Sequence, residues 1–163
     1  MPSSATTPTA SRGESVKLGA EAREVVLGEA QAVLAMVQDD ERRGRLASLV
    51  AAVDEGEVAG EEAQALEELI ELGLQTGRVR ALYGPGGEQA ALRVYRQLPR
   101  GKEAGEAARE VTQALSSLEG TTLEHVALQA VGPAAFVLSL HAGGAELSVR
   151  LDRQGARLTS VGI

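Results

Sequence analysis

Two histidines, a run of arginines and one glycine-rich turn are the residues of this chain whose types and spacing could do chemistry. His125, beside Glu124, and His141 lie in successive segments of alternating apolar and polar residues. If those segments pair antiparallel, the two imidazoles become cross-strand neighbours and, with Glu124 or Glu146 as a third ligand, could hold a metal for hydrolytic or acid–base work. Arg78 and Arg80 precede Gly84-Pro85-Gly86-Gly87 in the stretch TGRVRALYGPGGEQ. Glycine amides at a helix N-terminus beside two guanidinium groups would attract an anion. Asp39, Asp40 and Glu41 form a third group of potential ligands.

Each has a plainer role. GPGGEQ lacks the Gly-Lys-Ser/Thr of a phosphate loop, Pro85 removes one backbone donor, and Glu88 competes with an anion for the same amides. It reads as a turn or cap. Asp39 or Asp40 reads as the cap of a following helix, and the histidines as polar residues on the solvent face of a sheet. No HExxH or GxSxG pattern is present. With no cysteine, thiolate nucleophiles, disulfides and thiolate metal sites are excluded. The expectation is a protein with no catalytic residues, no metal site and no cofactor. A metal-dependent enzyme at His125 and His141 is the second alternative.

The elements that must position these residues follow from periodicity. The chain has 163 residues, 44% of them hydrophobic, which suits a folded protein of one domain or two small ones. Trp is absent, and the aromatics are Phe136, Tyr83 and Tyr95, so the core is Ala, Leu and Val, and aromatic pockets for bases or ring ligands are not expected. Residues 1–15 read as a disordered tail without the apolar core of a secretory signal, and no run approaches the roughly 18 apolar residues of a membrane span. A cytoplasmic protein with no membrane contact is expected.

Apolar residues at three- and four-residue steps predict helices over about 19–37, 41–53 and 61–74, and short connections make them a bundle. Residues 77–100 stay open between two readings. As a helix, Ala91, Val94, Tyr95 and Leu98 share one stripe, with Pro99 and Gly101 as its stop. As strands, RVRALY and LRVYRQL pair across GPGG. Ala90, Ala91 and Glu88 favour the helix. The strand reading makes residues 41–98 similar in layout to a winged-helix DNA-binding domain. A further helix over about 102–118 precedes alternating segments with Val126, Leu128 and Ala130, then Phe136, Leu138 and Leu140, then Leu147, Val149 and Leu151, on one face. ARLTSVGI can add a fourth strand. The expected fold is α+β: an N-terminal bundle of about four helices (16–100), then a helix packed on a three- to four-stranded antiparallel meander (101–163).

Charge is distributed in blocks. The net charge is −7, yet residues 54–71 carry eight acidic residues and no basic one. Residues 76–102 carry Arg78, Arg80, Arg93, Arg96, Arg100 and Lys102 against Glu88 alone. Opposite blocks either neutralise each other or set the choice of partner. The expectation is a non-enzymatic protein–protein interaction module, an adaptor, regulator or assembly subunit that can self-associate as a homodimer. Its acidic face is Glu61, Glu62, Glu67, Glu68 and Glu71, and its basic face is the six cations just named. The first alternative is a nucleic-acid-binding regulator using the basic segment.

Overall fold

The apolar spacing of the first half is built into helices, and local contacts set where each starts and stops. The computed structural model describes residues 15–162; the tail expected over 1–15 lies, apart from Ser15, outside them. A strand β1 (Val16–Lys17) leads into α1 (Ala20–Met36), α2 (Asp40–Glu55), strand β2 (Glu57–Val58) and α3 (Gly60–Gln75). The Asp39 carboxylate accepts a hydrogen bond from the Arg42 backbone N–H at 2.8 Å, which caps α2 and is worth about 1 kcal/mol. At the other end of α2, the Arg23 side chain donates to the carbonyls of Val53, at 3.1 Å, and Asp54. A cation thereby satisfies carbonyls that lack a helical partner.

No sequence pattern announces the β1–β2 ribbon, because two residues are too few for alternation to register. Val16 pairs with Val58 and Lys17 with Glu57, antiparallel, and both valines are buried in the helical core.

The chain divides into two compact units, residues 1–98 and 99–163. In the first, α4 (Arg78–Tyr95) packs on α1 and α3, and α2 packs on α1 and α3. Leu49, Leu66, Val79, Ala90, Ala91 and Leu98 are sealed from solvent at its centre. The segment left open between helix and hairpin is thus helical, and the wing over 41–98 is not formed. A strand would direct only alternate residues inward. The helix places the adjacent Ala90 and Ala91 together with Val79 and Val94 in one core. The structure also departs from the helix reading at both ends. The helix begins at Arg78, ahead of the turn, and ends at Tyr95. Pro99, expected as a stop, is the first residue of the next helix, where its missing N–H costs nothing.

Gly84 interrupts α4 with φ 67° and ψ −172°, a conformation open at little cost only to glycine, which has no Cβ. Pro85 then restarts the helix. Gly87 is required for a different reason: a Cβ there would stand 2.3 Å from Tyr83 Cβ and 3.2 Å from Val25 Cγ2. Tyr83 Cβ is tied to the backbone and cannot swing aside. Gly87→Ala should therefore destabilise by about 1–3 kcal/mol through overpacking. Gly44→Ala, in exposed α2 with nothing within 4 Å of the added carbon, should stabilise by up to about 1 kcal/mol. Urea unfolding of both variants checks the opposite signs.

In the second unit, α5 (Pro99–Ser116) precedes β3 (Leu123–Gly132), β4 (Ala135–Ala142), β5 (Ala145–Asp152) and β6 (Gly155–Gly162). The four strands form an antiparallel meander in the order β3-β4-β5-β6. Leu138 faces Leu128 and Val149, and Leu140 faces Val126 and Leu147, so one side of the sheet is apolar, as the alternation predicts. Asp152 closes the last hairpin, accepting from the Gln154 N–H at 2.9 Å and from Arg150 Nε at 3.0 Å. The Gln154 amide first, then Arg150, hold its carboxyl below the ordinary aspartate value.

The α5 helix covers the apolar side of the sheet only in part. It packs on β6 and β5, where Val111 joins Leu140, Leu147 and Val149 in a second core. Val126 and Leu128 of β3, on the same side, remain exposed. Alternation shows which side is apolar; it carries no information on how far one helix reaches across four strands.

Candidate interaction surfaces

The two histidines meet as the spacing predicts. His125 is the register partner of His141, and their rings lie edge to face with centroids 5.5 Å apart. Glu146 follows in the same row on β5, opposite His141, and its carboxylate is 3.6 Å from His141 Nε2. The row runs straight across three strands, and strand spacing of about 4.8 Å puts its outer members roughly 10 Å apart. Among the described residues no group of three His, Cys, Asp or Glu is placed to hold a metal.

The basic block is divided between the two units. Arg100 and Lys102 stand on α5 in the second unit, whereas Arg78, Arg80, Arg93 and Arg96 stand on or at the end of α4 in the first. Three of these four have carboxylate partners inside the helical unit. Arg78 Nε lies 3.1 Å from Glu29, Arg80 Nη1 3.0 Å from Glu88, and Arg93 Nη2 2.9 Å from Glu21. Two of the partners belong to α1, outside the acidic segment 54–71 that adjoins the block in sequence. Arg80 and Glu88 bridge the break at Gly84.

The same contacts explain the glycine-rich turn. Glu21 Oε1 lies 3.0 Å from where a Cβ on Gly86 would stand, so a carboxylate of α1 stands beside the turn. The turn is a corner between two halves of one helix, spanned by the Arg80–Glu88 pair.

Glu29 is the centre of a buried polar cluster that bears on this helix. Its carboxylate is almost inaccessible, meets Arg78, and lies close enough to Tyr83 to act on its phenol. Burial first, then the Glu29 charge, push the Tyr83 phenol above its ordinary value of 10.0, with Arg78 opposing. Such a phenol is protonated at neutral pH and acts as a donor, not as a base. The cluster ties α1 to α4.

On the acidic side, Glu67 is buried and leaves the face assigned to it: i, i+3 spacing turns it inward with Ile70 and Leu66. Glu71 accepts from Gln75 Nε2 at 3.1 Å. Glu61, Glu62 and Glu68 remain at the surface of α3. Glu61 and Glu68 edge a groove of about 490 Å³ between α1, α2 and α3. Its floor is Val33, Leu46, Ala65, Leu69 and Leu72, and Glu41, Arg42 and Arg45 stand on the opposite rim. Leu72 is more than half exposed and escapes the helical pattern because it sits one step off the Leu66–Leu69–Ile70 stripe. Leu72 with Glu68, four residues earlier, is the sequence signal that would have located the groove.

The chain matches no protein-family model, no curated protein and no solved structure. No helix among the described residues is long and apolar enough to cross a membrane.

Proposed function

We propose that this chain is a non-enzymatic protein–protein interaction module, an adaptor, regulator or assembly subunit, and that its helical unit docks an amphipathic helix of a partner protein. The observation that carries this reading is the groove between α1, α2 and α3, with an apolar floor ending in the exposed Leu72 and carboxylates at its α3 edge. Apolar side chains at helical spacing fit such a floor, and lysine or arginine on the partner's polar side complements Glu61 and Glu68. The opposite rim keeps Arg45 near Glu41 at 3.9 Å, an exposed pair worth little that yields to a competing charge.

A pull-down from native lysate with the wild-type chain, repeated with Leu72→Asp and with Glu61→Lys/Glu68→Lys, tests it. These positions are exposed, so circular dichroism should be unchanged. Both variants should lose the same partner, and its measured affinity should fall at least about tenfold. A partner retained at unchanged affinity by both variants would remove the groove from the reading.

A further inference from the structure

We propose that His125 and His141 form a two-imidazole chelate for a divalent late transition ion, with zinc as the type, and that the bound ion staples the edge strand β3 to β4. The chain has two histidines and no cysteine, and the fold makes those two histidines direct register partners on neighbouring antiparallel strands. Both stand on the open side of the sheet, since His141 alternates with the buried Leu140 and Ala142. His125 is exposed, and the His141 side chain is 41% exposed, so an ion reaches both from solvent.

The geometry suits one ion shared between the rings. Directly opposed residues of an antiparallel pair have Cβ atoms about 4.5–5.5 Å apart. An ion about 2.1 Å from one nitrogen of each ring, at a bond angle near the tetrahedral ~109°, holds the ring centroids roughly 5 Å apart. The centroids here are separated by 5.5 Å, with the planes inclined at 76°. Turning the rings towards a common ion uses χ2, a soft torsion in histidine.

The surroundings favour a cation. The histidine row continues through Glu146 to Gly162, and the next row on the same side is Ala127, Ser139, Ser148 and Ser160. Small side chains therefore flank the rings on that side, and neither row contains a lysine or arginine to repel the ion. The Glu146 carboxylate stands 3.6 Å from His141 Nε2. A carboxylate beside one nitrogen of a ligating imidazole orients the ring and raises the basicity of the other nitrogen. Imidazole suits zinc, nickel and copper, whereas magnesium and calcium take oxygen donors. With two protein ligands, the remaining positions are filled by water.

The ion would act where the sheet is held least. Strand β3 pairs with β4 alone, and its apolar residues Val126 and Leu128 remain exposed, so burial contributes little to keeping it in place. The two imidazoles oppose each other only when the strands are paired, so binding stabilises that pairing. The site lies in the other unit from the groove between α1, α2 and α3, so it and the partner docking stand or fall separately.

Calorimetric titration of zinc chloride into the chelator-stripped full chain tests the proposal. One ion should bind per chain. His125→Ala and His141→Ala should each weaken that binding by at least about tenfold, because each removes one of two chelating donors. Magnesium and calcium should not compete, and Glu103→Gln, at an exposed carboxylate of α5, should bind as the wild type does. Glu146→Gln should lower the affinity about tenfold and leave the metal-free melting temperature unchanged, which separates orientation of His141 from a structural role. Zinc far above its dissociation constant should raise the melting temperature of the wild type by at least about 5 °C, and that of His141→Ala not at all. NMR of the imidazole nitrogens in the wild type should show both rings shifting together, which keeps the test decisive if a histidine variant does not fold. A wild type that takes up no zinc overturns the proposal. So does binding undiminished by either histidine substitution, a shift of one imidazole alone, or calcium binding of equal strength.

Discussion

Arg78→Met is expected to lower the stability of the helical unit by about 2–4 kcal/mol, because it leaves a buried carboxylate without its counter-charge. The Glu29 side chain is 6% exposed and Arg78 37%, and Arg78 Nε reaches both Glu29 oxygens, at 3.3 and 3.1 Å. Water at the arginine end weakens the pair, which keeps the loss below the full cost of breaking a dry one. The Tyr83 phenol remains near Glu29 in the variant and offsets part of the stranded charge. Adding Glu29→Gln to Arg78→Met should return at least half of the loss, since a neutral amide at this buried position needs no cation. A double-mutant cycle in urea measures the coupling. If Arg78→Met costs less than about 0.5 kcal/mol, the range of an ordinary surface change, the pair is not holding α4 to α1.

Leu66→Ala should cost about 2–5 kcal/mol. Leu66 is fully buried in α3, in one cluster with Leu49 and Val53 of α2, Val58 of β2 and Val26 of α1. Truncation removes transfer energy and leaves a cavity. The core around it is assembled from several elements, which limits how far the site can collapse. Leu82→Ala, at a leucine 61% exposed on α4, should stay within about 0.5 kcal/mol. Thermal and urea unfolding of the two variants check the contrast, and equal losses would mean that Leu66 is not in the core described above.

The comparison of these two leucines shows what kind of information the chain carries openly. Leu66 belongs to a stripe with Leu69 and Ile70, and periodicity alone turns it inward. Glu67 belongs to the same inward arc, but its charge suggests a surface position, and only the packed structure shows it buried. Arg78, Arg80 and Arg93 look like a basic face when counted along the chain. Their carboxylate partners stand 49, 8 and 72 residues away, and no local rule pairs residues over the longer separations. The groove was invisible for the same reason: its walls come from three helices, and Leu72 gains meaning only when α1 and α2 stand beside it.

The sequence by itself determined the features that depend on near neighbours. These are the three helices of residues 20–75, a cap at Asp39 or Asp40, the antiparallel meander with its apolar side, and the meeting of His125 and His141, which follows from alternation and tight turns. The tertiary structure decided what depends on distant segments arriving together. It settled residues 78–95 as a broken helix, because Ala90 and Ala91 both find the core of the bundle. It paired α4's arginines with α1's glutamates and turned the glycine-rich stretch into a corner spanned by the Arg80–Glu88 pair. It also set how far α5 reaches across the sheet. The physical reason is common to all of these: backbone hydrogen bonds and side-chain periods act over a few residues, whereas burial and charge pairing are decided by whatever the fold places alongside.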